Sequence, residues 1–231
     1  MPKKLTDDQK TCRVSISEEC LRRYQEEGEA FLDSIVTEDE SWFPLFSPES
    51  KRQSMQWKHK DSPPPTKCRA LESQKKVLYA VFWDAEGIIL SYPVPKGTTI
   101  SGETYARIIR DHLLPAIASC RPEKARGRFI LHQDNAPPHR ALVVRDALQA
   151  EGIEVLKHPP YSPDLAPSDY WLFADMKKNI RGRRFGSRSA LGSAIYQYGE
   201  KTPTQSFHAA IRDLAKRWDR CVRLQGEFVE P

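Results

Sequence analysis

Three acidic residues, Asp39, Asp134 and Asp169, stand in an unusual context. Asp39 ends a run that begins Ile35-Val36-Thr37, Asp134 terminates Phe129-Ile130-Leu131-His132-Gln133, and Asp169 follows the proline-rich Tyr161-Ser162-Pro163-Asp164-Leu165-Ala166-Pro167. Each lies where an apolar element meets the surface. Carboxylates at the ends of neighbouring strands and at an adjacent helix start can converge, and such a cluster is unfavourable unless cations occupy it. Hard divalent ions with oxygen ligands fit, and a pair of them about 3.5–4 Å apart activates the attacking oxygen and stabilises the leaving one in phosphoryl displacement. Taken singly, each Asp also reads as a turn or cap residue, and Asp169 as a first-turn acid behind a Ser168 cap. The sequence has no G-x-S-x-G elbow, no G-x-x-x-x-G-K-[ST] phosphate loop and no H-E-x-x-H. Metal-assisted phosphoryl transfer is therefore the best-supported chemistry.

Such a cluster needs a scaffold. Thr6-Asp7-Asp8-Gln9 and Ser17-Glu18-Glu19 both read as capped helix starts, which predicts two short helices over about 6–33. The segment from Ile35 to Trp42 is strand-like, with Thr37, Asp39 and Ser41 on one side by period two. By the same alternation Glu40 points away from Asp39 and is not taken as a ligand. Residues 44–74 are irregular and include Pro63-Pro64-Pro65; positions 51–76 carry eight Lys/Arg against only Asp61 and Glu72. Lys76 to Trp83 and Ile88 to Val94 form a hairpin about Asp84-Ala85-Glu86-Gly87. Ser101 caps a helix with Tyr105, Ile108, Ile109, His112 and Ile117 on one face, which Pro122 and Gly127 end. A strand at 129–131, a helix from Arg140 to Ala150 and a strand at 153–156 follow, with helices over 167–180, 189–199 and 204–224. This order predicts an α/β fold, a mixed sheet flanked by helices.

Composition narrows the function classes. The 231 residues carry 36 Lys+Arg against 31 Asp+Glu, a net charge of +5, and 10% are aromatic, too many for a solvated tail. No apolar stretch approaches the roughly 18–20 residues of a membrane span, and the start lacks an apolar signal region, so the protein reads as intracellular and without a membrane partner. Five scattered cysteines without C-x-x-C argue against a disulfide framework or a structural zinc site. The densest basic run is Arg181-Gly182-Arg183-Arg184-Phe185-Gly186-Ser187-Arg188, where Arg181, Arg183, Arg184 and Arg188 are candidate phosphate contacts; a solvated loop is the bland alternative. Trp57, Trp83, Trp171 and Trp218 lie in apolar patterns and read as core.

His132-Gln133-Asp134-Asn135-Ala136-Pro137-Pro138-His139 and Tyr161-Ser162-Pro163-Asp164-Leu165-Ala166-Pro167-Ser168-Asp169-Tyr170 strongly resemble the two signature blocks of mariner-type DNA transposases, H-x-D-N-A-x-x-H and Y-S-P-D-L-x-P-x-D-Y. Thirty-four residues separate Asp134 from Asp169, as in the mariner branch, and Ile35 to Trp42 resembles the family's I-V-T-G-D-E-x-W. The resemblance implies an RNase H-like catalytic domain over 34–231, preceded by a helical interdomain linker over 1–33. It implies that Asp39, Asp134 and Asp169 hold Mg²⁺ or Mn²⁺, two ions, with no small-molecule cofactor. The implied activity is cut-and-paste transposition: water first cuts at the transposon end, then the freed 3′-hydroxyl attacks target DNA at a TA dinucleotide. The implied partners are transposon-end and target DNA and a second copy of the chain, in the nucleus.

Around the triad, Asn135 is read as orienting Asp134, contacting phosphate or making an Asx turn, and His132 and His139 as bracing the site or bonding DNA. Asp164 reads as a turn residue. The basic 51–76 segment occupies the place of a loop that in related transposases reaches the partner subunit. Two departures favour a competing reading, a non-catalytic remnant that binds DNA or dimerises. Glu38 stands where the family usually has Gly, and either obstructs DNA or metal beside Asp39 or points to the opposite strand face. The helix-turn-helix units that read transposon ends in full-length relatives are not present in this sequence.

Overall fold

The computed structural model describes residues 4–46, 76–127 and 129–229. In chain order the elements are α1 (Asp7–Glu27), α2 (Glu29–Ser34), β1 (Ile35–Pro44), β2 (Lys76–Asp84), β3 (Gly87–Pro93), α3 (Gly102–Ile108), α4 (Leu114–Cys120), α5 (Pro122–Gly127), β4 (Ile130–His132), α6 (Leu142–Ala150), β5 (Glu154–Leu156), α7 (Phe173–Ile180), α8 (Arg188–Lys201) and α9 (Thr204–Arg223). The basic, proline-rich segment and Trp57 lie outside the described residues.

The five strands form one mixed sheet in the order β3-β2-β1-β4-β5, with β1, β2 and β3 antiparallel and β1, β4 and β5 parallel. This is the RNase H-like arrangement. Alternation along β1 sorts its side chains onto two cores. Ile35 and Phe43 pack with Val77, Tyr79, Val81 and Trp83 under α7, α8 and α9, whereas Val36 packs with Ala80, Phe82 and Leu131 under α3, α4 and α6. Asp39 therefore belongs to the α7 face, and Glu38 and Glu40 to the α3 face.

Three expectations about local structure change. The predicted break at Ser17 is absent. One 21-residue helix runs from a Thr6–Gln9 capping box to Gly28, and Ser17 is buried within it. The helix that Ser101 caps ends before Pro122 as expected, reaching Cys120 through a π-helical turn at Ile109–Leu113, and Pro122 then opens α5 after a non-helical Arg121. The segment after Pro167 begins as a π-helical turn, Ser168–Leu172, before α7. Ser168 is no cap there: its hydroxyl accepts from the Trp83 indole at 3.0 Å. The predicted hairpin is present, and its turn acid, Asp84, is fully buried, accepting from the amides of Glu86 and Gly87 and pairing with Arg121 and Lys124.

Helix α1 lies along α9 and is tied into the body by Arg13. That guanidinium, with no exposed surface, donates to both carboxylate oxygens of Asp164, to Ser162 Oγ and to the carbonyls of Gly226 and Glu227. Gly226 has φ +83°, and a Cβ there would lie 2.4 Å from the Lys10 carbonyl oxygen, so only glycine lets the chain pass this close to α1.

Candidate active site

Strand β1 and the turn Ser168–Leu172 bring Asp39 and Asp169 close enough for each carboxyl to act on the ionisation of the other. Two carboxylates this close resist ionising together. Burial first, then the charges of Asp169, Glu40 and Asp134, push the Asp39 pKa up to about 8. Asp169 is raised as well, by burial and by Asp134, with Lys177 of α7 opposing. Asp134 follows β4 directly, is about half exposed, and its charge acts on both other acids. The three sequence-predicted acids thus form one electrostatic unit, open to solvent at Asp134 and Asp169 and partly buried at Asp39.

Each acid has its own support. The Trp83 indole fixes Ser168 beside Asp169, Tyr170 donates to the Ala210 carbonyl at 2.7 Å, and the Trp171 ring sits between Trp83 and Phe207. Asp39 Oδ1 accepts from the Glu40 amide at 2.7 Å. Asp134 Oδ1 accepts from the Ala136 amide at 2.9 Å, an Asx turn, and from His139 Nδ1 at 2.7 Å. Those bonds outweigh burial and hold Asp134 below the ordinary carboxylate range.

The neighbouring candidates take distinct places. His139 is buried; burial opposes its charge, but bonds to Asp134 and Glu40 and the nearby Glu38 raise its pKa to about 11. Its ring bridges the triad to the opposite strand face. His132 lies under Asp134, in a chain running Thr37 Oγ1, His132 Nδ1, His132 Nε2, His158 Nδ1 with 3.1 Å steps, and burial keeps both imidazoles neutral. Asn135 spends its amide on the His158 carbonyl, so the Asx turn belongs to Asp134. Asp164, read from sequence as a turn residue, is the acid of the buried Arg13 pair. Glu38 takes the second of its two expected orientations: it points away from Asp39, is fully buried, and one carboxylate oxygen lies 3.0 Å from the Tyr105 hydroxyl.

Sequence reasoning missed Lys177, Tyr105 and His158. Lys177 Nζ donates to Ser41 Oγ at 2.7 Å on the Asp39 face and is the positive charge nearest Asp169 among the causes of its shift. Its spacing of eight from Asp169 was the available signal, since two helical turns return a side chain to nearly the same face.

The candidate phosphate contacts sit at the far end of β1. Phe185 N donates to the Leu45 carbonyl at 2.7 Å, and Phe46 and Arg184 form an antiparallel bridge. Arg181, Arg183 and Arg184 are exposed. The guanidinium of Arg183 lies 5.2 Å from the Phe185 ring centre and that of Arg184 5.0 Å from Phe46, while Arg188 turns inward to the Val94 carbonyl.

The sequence model of a family described as "Transposase (partial DDE domain)" matches residues 47–126. The Mariner Mos1 transposase of Drosophila mauritiana is 34% identical over 232 residues, covering 100% of this chain and 66% of that protein. Human histone-lysine N-methyltransferase SETMAR is 33% identical over 232 residues, again across 100% of this chain but only 33% of its own length. Among solved structures, a Mos1 mariner paired-end complex with Mn superposes with a TM-score of 0.89 at 33% identity, over 100% of this chain and 66% of that one. The isolated Mos1 catalytic domain matches with a TM-score of 0.82 and 31% identity over 100% of both chains. With full mutual coverage of that domain, the same sheet order and the two signature blocks in place, this chain belongs to the mariner transposase family and comprises its RNase H-like catalytic domain.

Proposed function

We propose that this domain cleaves DNA strands at transposon ends and transfers the freed 3′-hydroxyl to target DNA at a TA dinucleotide, in the nucleus, as one half of a dimer. The observation that carries the reading is the close Asp39–Asp169 pair, with the charge of Asp134 acting on both. An all-oxygen set of three acids, two of them reluctant to ionise together, fits hard divalent cations. Asp39, Asp134 and Asp169 would hold Mg²⁺ or Mn²⁺, two ions, which supply Lewis-acid activation of the attacking oxygen and stabilisation of the leaving one. A Mos1 relative was solved with Mn and another with Mg, in paired-end complexes, which supports both the metal and the DNA partner.

The chain's own residues do the positioning. His139 and the Ala136 amide fix Asp134 Oδ1, the Trp83–Ser168 bond fixes the turn carrying Asp169, and Lys177 keeps a positive charge beside the acids. The arginine segment pairs with Leu45 and Phe46 just past the end of β1, about six residues and about 20 Å beyond Asp39. A DNA strand rising about 3.4 Å per nucleotide covers that distance in about six steps. Arg181, Arg183 and Arg184 would grip its phosphates without reading sequence.

Nicking of supercoiled plasmid in Mg²⁺ or Mn²⁺, compared between wild type and Asp134→Ala, tests the reading. Metal-dependent nicking by wild type and its loss in the variant is expected. Equal nicking by both proteins, or by neither, overturns it and leaves the non-catalytic alternative.

A further inference from the structure

On the α3 face of β1, opposite Asp39, Glu38, Glu40 and His139 form a second cluster. One ligand atom from each lies within 4.8 Å of the others. His139 Nε2 is 3.2 Å from Glu40 Oε1 and 3.8 Å from Glu38 Oε2. Two donors bound tetrahedrally to one ion at about 2.0–2.2 Å are about 3.4 Å apart, so these separations straddle what a single cation needs.

A second, independent observation points to a ligand. The Glu38 side chain has no exposed surface, yet its Oε1 has no hydrogen-bond partner. A buried, unsatisfied carboxylate oxygen is expensive and calls for a compensating group. Tyr105 does not supply enough: its single hydroxyl proton lies between Glu38 Oε2 at 3.0 Å and Gln133 Oε1 at 2.7 Å and serves one of them at a time.

We propose that Glu38, Glu40 and His139 bind a transition-metal dication of the Zn²⁺ type, at a site separate from the aspartate triad. Two carboxylates and one imidazole suit Zn²⁺, while the nitrogen donor discriminates against Mg²⁺, which prefers oxygen and retains its waters. The imidazole is already arranged for it. Nδ1 faces Asp134 Oδ1 at 2.7 Å, the carboxylate–histidine–metal relay that orients a ligating ring, and Nε2 faces the two glutamates. Glu40, whose side chain is 17% exposed, gives the ion its way in and leaves a fourth ligand position toward solvent. The site exists because this chain has Glu38, and it would connect metal occupancy to the orientation of Asp134 through one ring.

Isothermal titration of the full chain with Zn²⁺, in excess Mg²⁺ to saturate the triad, tests this. Wild type and an Asp39→Asn/Asp169→Asn double variant are expected to bind Zn²⁺ equally. Glu38→Gln, which keeps the shape of the side chain, and Glu38→Gly are each expected to bind it at least about tenfold more weakly. Circular dichroism of each variant establishes that it is folded, and the comparison with Glu38→Gln cancels any Zn²⁺ taken by cysteines. Equal affinity in wild type and both Glu38 variants overturns the proposal. So does loss of binding in the double variant, which would assign the ion to the triad. Because the readout is binding, failure here and failure of DNA cleavage are separable.

Discussion

Arg13 and Asp164, 151 residues apart in sequence, form a two-pronged ion pair with N–O distances of 2.9 and 2.6 Å and almost no solvent contact. The pair joins α1 to the segment that leads into Asp169, and Asp164 Oδ2 also accepts from the Val229 amide at 2.8 Å. Removing one partner leaves the other charge buried. Arg13→Ala is expected to cost roughly 3–5 kcal/mol, which lowers the melting temperature by about 10 °C or more. Adding Asp164→Ala to that variant should cost much less than Asp164→Ala alone. A denaturant or thermal double-mutant cycle checks this, and strict additivity would show the pair to be uncoupled.

The triad carries stored electrostatic cost. A carboxyl whose folded pKa is raised from the usual 3.8 to about 8 holds its proton more tightly folded than unfolded, so stability falls as pH rises through that window. Asp39→Asn is therefore expected to melt higher than wild type at pH 8 in a chelator, by at least about 2–4 °C per kcal/mol relieved. Divalent metal should raise the melting point of wild type and leave the variant nearly unchanged. A variant that melts below wild type in the chelator contradicts this account.

His158 sets an opposite limb. Burial, the dominant cause, lowers its pKa to about 4, against about 6.5 in the unfolded chain. The unfolded state takes up the proton first, so stability is full above about 6.5 and declines as pH falls toward 4, by about 3 kcal/mol in all. His158→Gln should flatten the fall in melting temperature between pH 7 and pH 5. An unchanged slope would locate the acid sensitivity elsewhere.

The exposed arginines make a salt prediction. Each phosphate contact contributes about −0.9 to the slope of log affinity against log salt on duplex DNA. Replacing Arg181, Arg183 and Arg184 together with Ala should make that slope shallower by about 2 to 3. Weaker binding with an unchanged slope would mean that these side chains do not neutralise phosphates.

The parts of this molecule legible in sequence are those fixed by local pattern. Period two in Ile35–Trp42 places Asp39 and Glu40 on opposite strand faces, and Asp84-Ala85-Glu86-Gly87 makes the expected turn. What sequence could not supply depends on distant partners. Ser17 reads as a helix start until α9 covers it. Arg13 looks like one charge among many on α1 until Ser162, Asp164 and Gly226 close around it. Asp84 and Asp39 are both acids in the same hairpin-rich region, yet Arg121 and Lys124 saturate the first, while other acids surround the second. That difference, which separates a structural carboxylate from a metal-ready one, is set by packing across the sheet.

The proposed chemistry requires Asp39, Asp134 and Asp169 to gather divalent ions. An anomalous-scattering map from crystals grown with Mn²⁺ tests it most directly. Density is expected within about 2.5 Å of carboxylate oxygens of Asp39 and Asp169, with Asp134 completing the set, and is expected to be lost in Asp39→Asn. Mn²⁺ bound elsewhere, with none of the three aspartates among its ligands, would contradict it.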